Sequence, residues 1–345
     1  MTAAFHASEN PAAHEEIAAR GTVTKVLAKA LNTALADAME LDSKVVLLGE
    51  DIGKLGGVFR VTDELYDRFG SARVLDTPLA EAGIVGNAIG LAMRGYRPVV
   101  EIQFDGFVYP AFNQIVSQLA KYRSRTQGAV SLPVVIRIPY GGHIGAVEHH
   151  QESPEAYFAH TAGLRVVSPA NAHDAYWMLR EAIASPDPVI FMEPKAKYWH
   201  KGEIDFSGAA APMTTARIAR TGTDCTVVGH GAMVATLLAA AEIAAAEGTS
   251  LEVVDLRSLS PVDYEPLFES VRKTGRLVVA QEAPGNVSLG SEIAATVAEH
   301  CFYSLQAPVL RVSGYDVPFP VAKLEGLYLP DADRVLEAVD RTMHY

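Results

Sequence analysis

Cysteine is scarce in this sequence, with Cys225 in a strand-like run and Cys301 in a helical one as the two examples among 345 residues. Neither has partners at metal-ligand spacing, which argues against a zinc site and a disulfide framework and leaves both thiols as buried apolar fillers. Long apolar runs are missing too. The most apolar stretch, 82–95, is too short to cross a bilayer and leads directly into a strand pattern, as a buried helix would. Positive charge is in deficit, with 29 Lys and Arg against 41 Asp and Glu and a formal charge of -12. That balance argues against a general affinity for nucleic acid or an anionic membrane and favours small molecules or proteins as partners. Residues 1–20 lack the apolar core of a secretory signal and the composition of a transit peptide, so a flexible N-terminal extension and a cytoplasmic location are expected.

What is present describes a compact chain. Hydrophobic residues make up 49% and charged residues 20%, without repeats or low-complexity tracts, and the length suits two domains. Val- and Ile-rich runs alternate with helical periods, the pattern of parallel strands joined by crossover helices. In the first half, strands are expected at 45–48, 73–76, 99–104, 134–139, 165–168 and 189–193, with helices at 24–40, 81–93, 112–126, 154–161 and 172–184. The second half repeats the alternation, with strands at 226–228, 251–255, 277–281 and 309–312 and helices at 233–247, 264–273, 288–299 and 332–343. The expected fold class is α/β with two doubly wound domains, at 21–200 and 215–345, tied by a linker at 201–214 where periodicity fails.

Four segments carry candidate chemistry. In VLDTPLAEAGIVG (74–86), a strand passes through a Pro turn into a helix opened by Glu81. Ligands in open α/β sheets gather beyond the carboxyl ends of strands, where a carboxylate has access to a cleft; the plainer reading is that Glu81 complements the positive helix N-terminus. The segment EIQFDGFVYPAF (101–112) places Gln103 among Phe104, Phe107, Tyr109 and Phe112, a mix able to stack on and edge-read a flat heterocycle, although such aromatics also serve core packing. A Gly-rich loop, GGHIGAVEHHQES (141–153), offers His149 and His150 for proton transfer. Adjacent histidines diverge on an extended backbone and no further ligand follows, which disfavours a metal. Finally, GHG at 229–231 after a strand, with Asp255 ending the next, resembles a dinucleotide fingerprint, but Val234 occupies the third small position.

Taken in order, GEDIG (49–53), GGVFRVT (56–62), DTPLAEAGIVG (76–86), EIQFDGFVYPAFNQI (101–115) and EHHQESPEAYFAHTAGL (148–164) resemble the beta subunit of bacterial thiamine-diphosphate-dependent 2-oxo acid dehydrogenases. The second half is similar to the C-terminal transketolase-type domain of the same subunit, through LEVVDLRSLSPVD (251–263) and VSGYDVPFP (312–320). The resemblance implies a pyrimidine-binding domain followed by a transketolase C-terminal domain. It also implies an alpha subunit that grips the diphosphate and Mg2+ of thiamine diphosphate in an alpha2beta2 assembly. The absence of a Gly-Asp-Gly diphosphate motif from this sequence agrees with that division.

Carried over residue by residue, the resemblance places Leu79, Gln103 and Phe107 against the aminopyrimidine, makes Glu81 the group that shares a proton with its ring nitrogen, and makes His150 the active-site histidine. Burial is expected to raise the pKa of Glu81. The cofactor acts as electron sink for decarboxylation of a small 2-oxo acid, and His150 assists transfer of the acyl fragment to the lipoyl group of an acyltransferase core. A branched-chain substrate is expected from resemblance around 101–112, with pyruvate as the alternative, because a methylene changes discrimination by only about 1–3 kcal/mol. A structural K+ is implied near Ala182 and Asp187. Three positions depart from the family pattern: Phe107 for a common tyrosine, Gln151 for a serine and Ser185 for an aspartate.

Overall fold

In the computed structural model, residues 11–208 and 210–345 are described; the first ten positions of the expected extension lie outside the described residues. The chain forms two compact units. The first comprises the chain to Pro139, then Thr161–Glu193 and Lys197–Met213; the second comprises Tyr140–His160, Pro194–Ala196 and Thr214–Tyr345. The loop at 141–153, expected within the first domain, therefore belongs to the second unit. Its polar backbone finds anchors there.

The first unit opens with α1 (Pro11–Ala18), which replaces the end of the expected extension because Ile17 is buried and Arg20 forks onto buried Asp37 at 2.9 and 3.0 Å. Next come β1 (Thr22–Val26), α2 (Leu27–Leu41) and β2 (Val45–Gly49). Residues 24–26, expected to start a helix, are strand instead, since β1 carries β-branched residues and pairs antiparallel with β8 (Lys201–Asp205). The same pairing gives regular structure to the first part of the expected linker.

Between them follow α3 (Leu65–Phe69), β3 (Val74–Asp76), α4 (Glu81–Met93), β4 (Arg97–Glu101), α5 (Ala120–Arg125), β5 (Val135–Tyr140), β6 (Arg165–Val167), α7 (Ala172–Ala184) and β7 (Val189–Pro194). The segment expected as a helix at 112–126 is helical from 112 to 125, widened to π turns over Gln114–Leu119 before α5, and a 3-10 turn at Asp105–Ala111 leads into it. Strands lie in the order β6-β7-β5-β4-β2-β3, and β2 with β3, β2 with β4, β4 with β5 and β6 with β7 pair parallel. All five β2 residues are buried, as expected of a strand covered on both faces. Helices α2 and α7 pack together on the core, where the Tyr176 hydroxyl donates to Asp37 at 2.8 Å and Arg180 donates to that hydroxyl at 2.8 Å.

The order of strands fixes where a ligand can gather. From β2 the chain moves outward to β3 and then crosses back to β4 on the other side of β2. This reversal leaves a crevice beyond the carboxyl ends of β2 and β4, the usual ligand position in open α/β sheets.

The second unit contains the 141–153 loop and α6 (Glu155–Ala159), shorter than the helix expected at 154–161. It continues with β9 (Arg217–Arg220), β10 (Cys225–Gly229), α8 (Met233–Ala246), β11 (Leu251–Asp255), β12 (Ser258–Ser260), α9 (Glu265–Thr274), β13 (Leu277–Pro284), α10 (Leu289–His300), β14 (Leu310–Gly314), α11 (Glu325–Tyr328) and α12 (Ala332–Met343). Its five-stranded sheet runs β14-β13-β10-β11-β9, parallel except for the edge strand β9. Helices α8 and α12 cover this sheet with buried Leu237, Ala241, Val335 and Val339. Cys225 and Cys301 are both buried free thiols, and among the described residues no helix is long and apolar enough to cross a membrane.

Candidate active site

The crevice at the strand reversal is lined by carboxylates. Immediately after β2, Glu50 is buried at 8% exposure, and Glu81, the first residue of α4, is buried at 7%. Ala80 provides no side-chain cap, so Glu81 stands as the acid in the first turn, where the helix dipole favours negative charge. The Ala80 N–H donates to the Glu50 carboxylate. Burial, reinforced by the charge of Glu81, pushes the Glu50 carboxyl above the ordinary carboxylate range. Glu50 was not singled out from sequence as a site residue, although it lies in the GEDIG stretch of the resemblance, directly after a fully buried strand.

Local backbone geometry makes this crowding possible. A Cβ on Gly49 would lie 2.9 Å from Ile52 Cγ2 and 3.0 Å from the Glu101 carbonyl oxygen, while the Gly53 N–H donates to Asp76 at 2.7 Å. Gln103, beyond β4, spans to the β2 end by donating to Asp51 Oδ2 at 3.1 Å and to the Glu50 carbonyl at 3.4 Å. Thus Glu81 and Gln103 meet through the segment that carries Glu50. Leu79 is 80% exposed on the turn leading into α4, an apolar side chain available to a ligand surface. Phe107 packs edge-on against Phe104, with ring centres 5.8 Å apart, and Phe104 packs against Phe59.

A buried ion network lies beside the crevice. Arg137 on β5 donates to Glu101 at 2.6 Å and grips Glu193 through two bonds at 2.7 and 2.8 Å, while the Tyr198 hydroxyl donates to Glu193 at 2.6 Å. Although burial opposes its charge, the two carboxylates hold Arg137 more firmly protonated than a free arginine. Burial also raises the Glu101 carboxyl, against the opposing effect of Arg137.

His150 is carried by the second unit. It is half-buried, its Nδ1 lies 2.8 Å from the Glu148 carbonyl, and its own carbonyl accepts from Lys195. His149, with φ 66°, is exposed beside Glu148. The dinucleotide alternative finds little room in this unit. Asp255, which such a site would turn toward a ribose, is buried and accepts from Arg217 at 3.0 Å and the Arg257 N–H at 3.1 Å. A Cβ on Gly229 would stand 3.0 Å from both the Ala280 carbonyl oxygen and Leu237 Cδ1.

The residues of the first unit fit a nitrogen heterocycle. Among the described residues, Glu50 Oε1 and Thr77 Oγ1 are buried without a hydrogen-bond partner, a cost that a polar ligand would remove. The segment around Ala182 and Asp187 does not fit K+. Arg97 donates to the carbonyls of Ile183 and Ser185 at 2.9 and 3.3 Å, the Ala182 carbonyl accepts from the Ser185 N–H at 3.2 Å, and Asp187 pairs with Arg123 and Arg165. Guanidinium groups supply the positive charge there.

Two family descriptions match the chain: "Transketolase, pyrimidine binding domain" over residues 24–200 and "Transketolase, C-terminal domain" over residues 214–335. A solved structure titled "Split gene transketolase, inactive beta4 tetramer" is similar, with TM-score 0.75 and 28% identity over 92% of this chain and 98% of that one. The fold and the two matching domain families place the chain in the transketolase class of thiamine-dependent proteins. Among named relatives, the "Pyruvate dehydrogenase E1 component subunit beta" of Leifsonia xyli subsp. xyli is 69% identical, covering 92% of this chain and 95% of its own. The "3-methyl-2-oxobutanoate dehydrogenase subunit beta" of Mycobacterium tuberculosis is 52% identical, covering 93% of each chain. The "2-oxoisovalerate dehydrogenase subunit beta" of Bacillus subtilis is 43% identical, covering 90% of this chain and 96% of its own. The chain belongs to the beta subunits of the 2-oxo acid dehydrogenases, thiamine-dependent oxidoreductases with transketolase-like domains.

Proposed function

We propose that the chain holds the aminopyrimidine of thiamine diphosphate at the crevice of its first unit, for oxidative decarboxylation of a branched-chain 2-oxo acid. The observation that carries this reading is the buried acid pair: Glu81 at the α4 N-terminus beside Glu50, whose Oε1 has no hydrogen-bond partner among the described residues. Glu81 holds and moves the proton at a pyrimidine ring nitrogen, a task for a carboxyl shielded from water. Gln103 and Leu79 orient the ring edge and face, and Phe107 closes the apolar side. When bound, the cofactor supplies the electron sink for loss of carbon dioxide. His150 serves a later step, assisting delivery of the acyl fragment to the lipoyl group of an acyltransferase core.

The same reading gives the diphosphate and Mg2+ to an alpha subunit, with two copies of each chain in a cytoplasmic assembly. It is supported by the "subunit beta" names of the relatives. For the substrate, the Mycobacterium tuberculosis and Bacillus subtilis names support a branched-chain acid. A second reading, pyruvate, is favoured by the 69% identical Leifsonia relative. The deciding experiment purifies the chain with its alpha partner and compares decarboxylation of pyruvate with that of the three branched 2-oxo acids. Higher kcat/KM for a branched acid supports the first reading, and preference for pyruvate replaces it with the second.

A further inference from the structure

The loop that carries His150 has no helix or strand to hold it, yet it does not hang free. Its ends are brought together by the Gly141 N–H, which donates to the Glu152 carbonyl at 2.9 Å. Between those ends, three backbone N–H groups are received by two carboxylates from distant parts of the second unit. Glu282, on the buried strand β13, accepts from the Gly142 N–H at 3.0 Å. Glu325, buried at the start of α11, accepts from the His143 N–H through one oxygen and from the Gly145 N–H through the other, the latter at 3.0 Å. The His143 ring also faces Glu282, with Nε2 3.8 Å from Oε1.

Two of the loop glycines, Gly141 and Gly142, lie against the same two acids. Added to Gly141, a Cβ would come within 2.5 Å of Glu282 Oε2; added to Gly142, it would come within 2.8 Å of Glu325 Oε1. Gly141 has φ +81° and His143 φ 69°, so this stretch adopts left-handed backbone on both sides of Gly142. Such a conformation persists only where surrounding groups over-determine it. Each bond from a loop N–H to a buried acid oxygen satisfies a backbone donor that would otherwise lose its partner, and burial raises the Glu282 carboxyl above the ordinary carboxylate range. Toward the other end of the loop, Lys195 donates to the His150 carbonyl and the Gln151 side chain donates to the Ala146 carbonyl at 2.6 Å.

We propose that Glu282 and Glu325 are positioning residues that dock the 141–153 loop and so set the place of His150. The proposal rests on the reading of His150 as the group that assists acyl transfer. An amide at position 325 keeps the size of the side chain but offers one acceptor oxygen to two N–H groups, so Glu325→Gln loosens the dock without opening a cavity. The test uses the chain assembled with its alpha partner and reads backbone hydrogen exchange together with two assays.

In Glu325→Gln, amides 143 and 145 are expected to exchange about tenfold faster or more, the scale of one charge-assisted bond. Peptides of β13 and α12 should keep wild-type protection. Lipoyl acylation should fall while decarboxylation with an artificial electron acceptor persists. If Glu325→Gln does not assemble, Glu282→Gln gives the same reading at amide 142. Wild-type exchange in the folded variant, or faster exchange with undiminished acylation while His150→Ala loses acylation, overturns the proposal. A parallel His150→Ala sample separates the two ideas: if it too acylates normally, the reading of His150 has failed, and the exchange result alone decides the dock.

Discussion

Glu50 and Glu81 are buried neighbours at the carboxyl ends of the sheet, and the negative charge of Glu81 helps hold the Glu50 carboxyl above its ordinary pKa. The proposed exchange of a proton with a ring nitrogen would take place beside this pair, where burial keeps water away from the acids.

The shift has a sign that can be measured on the cofactor-free protein. The folded Glu50 carboxyl binds its proton more tightly than the unfolded one, so the folded state carries the extra proton above the unfolded value of about 4.3. Stability from this group therefore declines as pH rises through that value toward the raised folded pKa. Glu50→Gln removes the decline. The difference in Tm between variant and wild type should grow in favour of the variant as pH is raised from about 4 across that interval; a pH-independent difference would show that Glu50 titrates normally.

Glu81→Ala, assembled with the alpha partner, should retain assembly but lose at least about 10²-fold in turnover, the low end for a group engaged in acid-base catalysis. Steady-state decarboxylation measures it. Near-normal turnover would leave Glu81 with only a helix-capping role.

His150→Ala should keep decarboxylation measured with an artificial acceptor and lose acylation of the lipoyl group. Equal losses in the two assays would move His150 to an earlier step than the one assigned to it.

Arg137→Met strands two buried carboxylates, Glu101 and Glu193, that the guanidinium now holds at 2.6 to 2.8 Å. Removing one side of a buried ion network costs about 3–5 kcal/mol. Chemical denaturation of the chain should show a loss of this size, and a change below about 1 kcal/mol, the level of an exposed pair, would mean that water reaches the acids once the arginine is gone.

Much of the architecture was legible because parallel strands covered on both faces are written as continuous Val and Ile runs, as in VVLLG at β2 and VIRIPY at β5. The β1 and β8 pair was not. TVTKV runs directly into a helical period, and KGEID has no alternation of its own, so each becomes a strand only in the presence of the other. Residues 114–119 kept a helical composition while their backbone widened to π turns, a change of hydrogen-bond spacing that periodicity does not register. Within the crevice, Glu81 was visible from its place after a strand and a Pro turn. Glu50 was hidden because an acid in the turn GEDIG looks solvent-facing until the fold closes over it. The carboxylates that grip the 141–153 loop lie 140 and 180 residues along the chain from the N–H groups of Gly142 and Gly145, beyond the reach of any local pattern.

The interleaving of the two units has a practical and evolutionary consequence. The backbone passes between them at 139–140, 160–161, 193–194, 196–197 and 213–214, so no single scission separates them into intact halves. Cleavage after Met213 would leave the C-terminal fragment without its His150-bearing insert, while the N-terminal fragment would keep that insert cut off from Glu282 and Glu325. Recombination that exchanged only the distal half would likewise pair a loop from one ancestor with an anchor from another, which ties the two stretches to a shared inheritance.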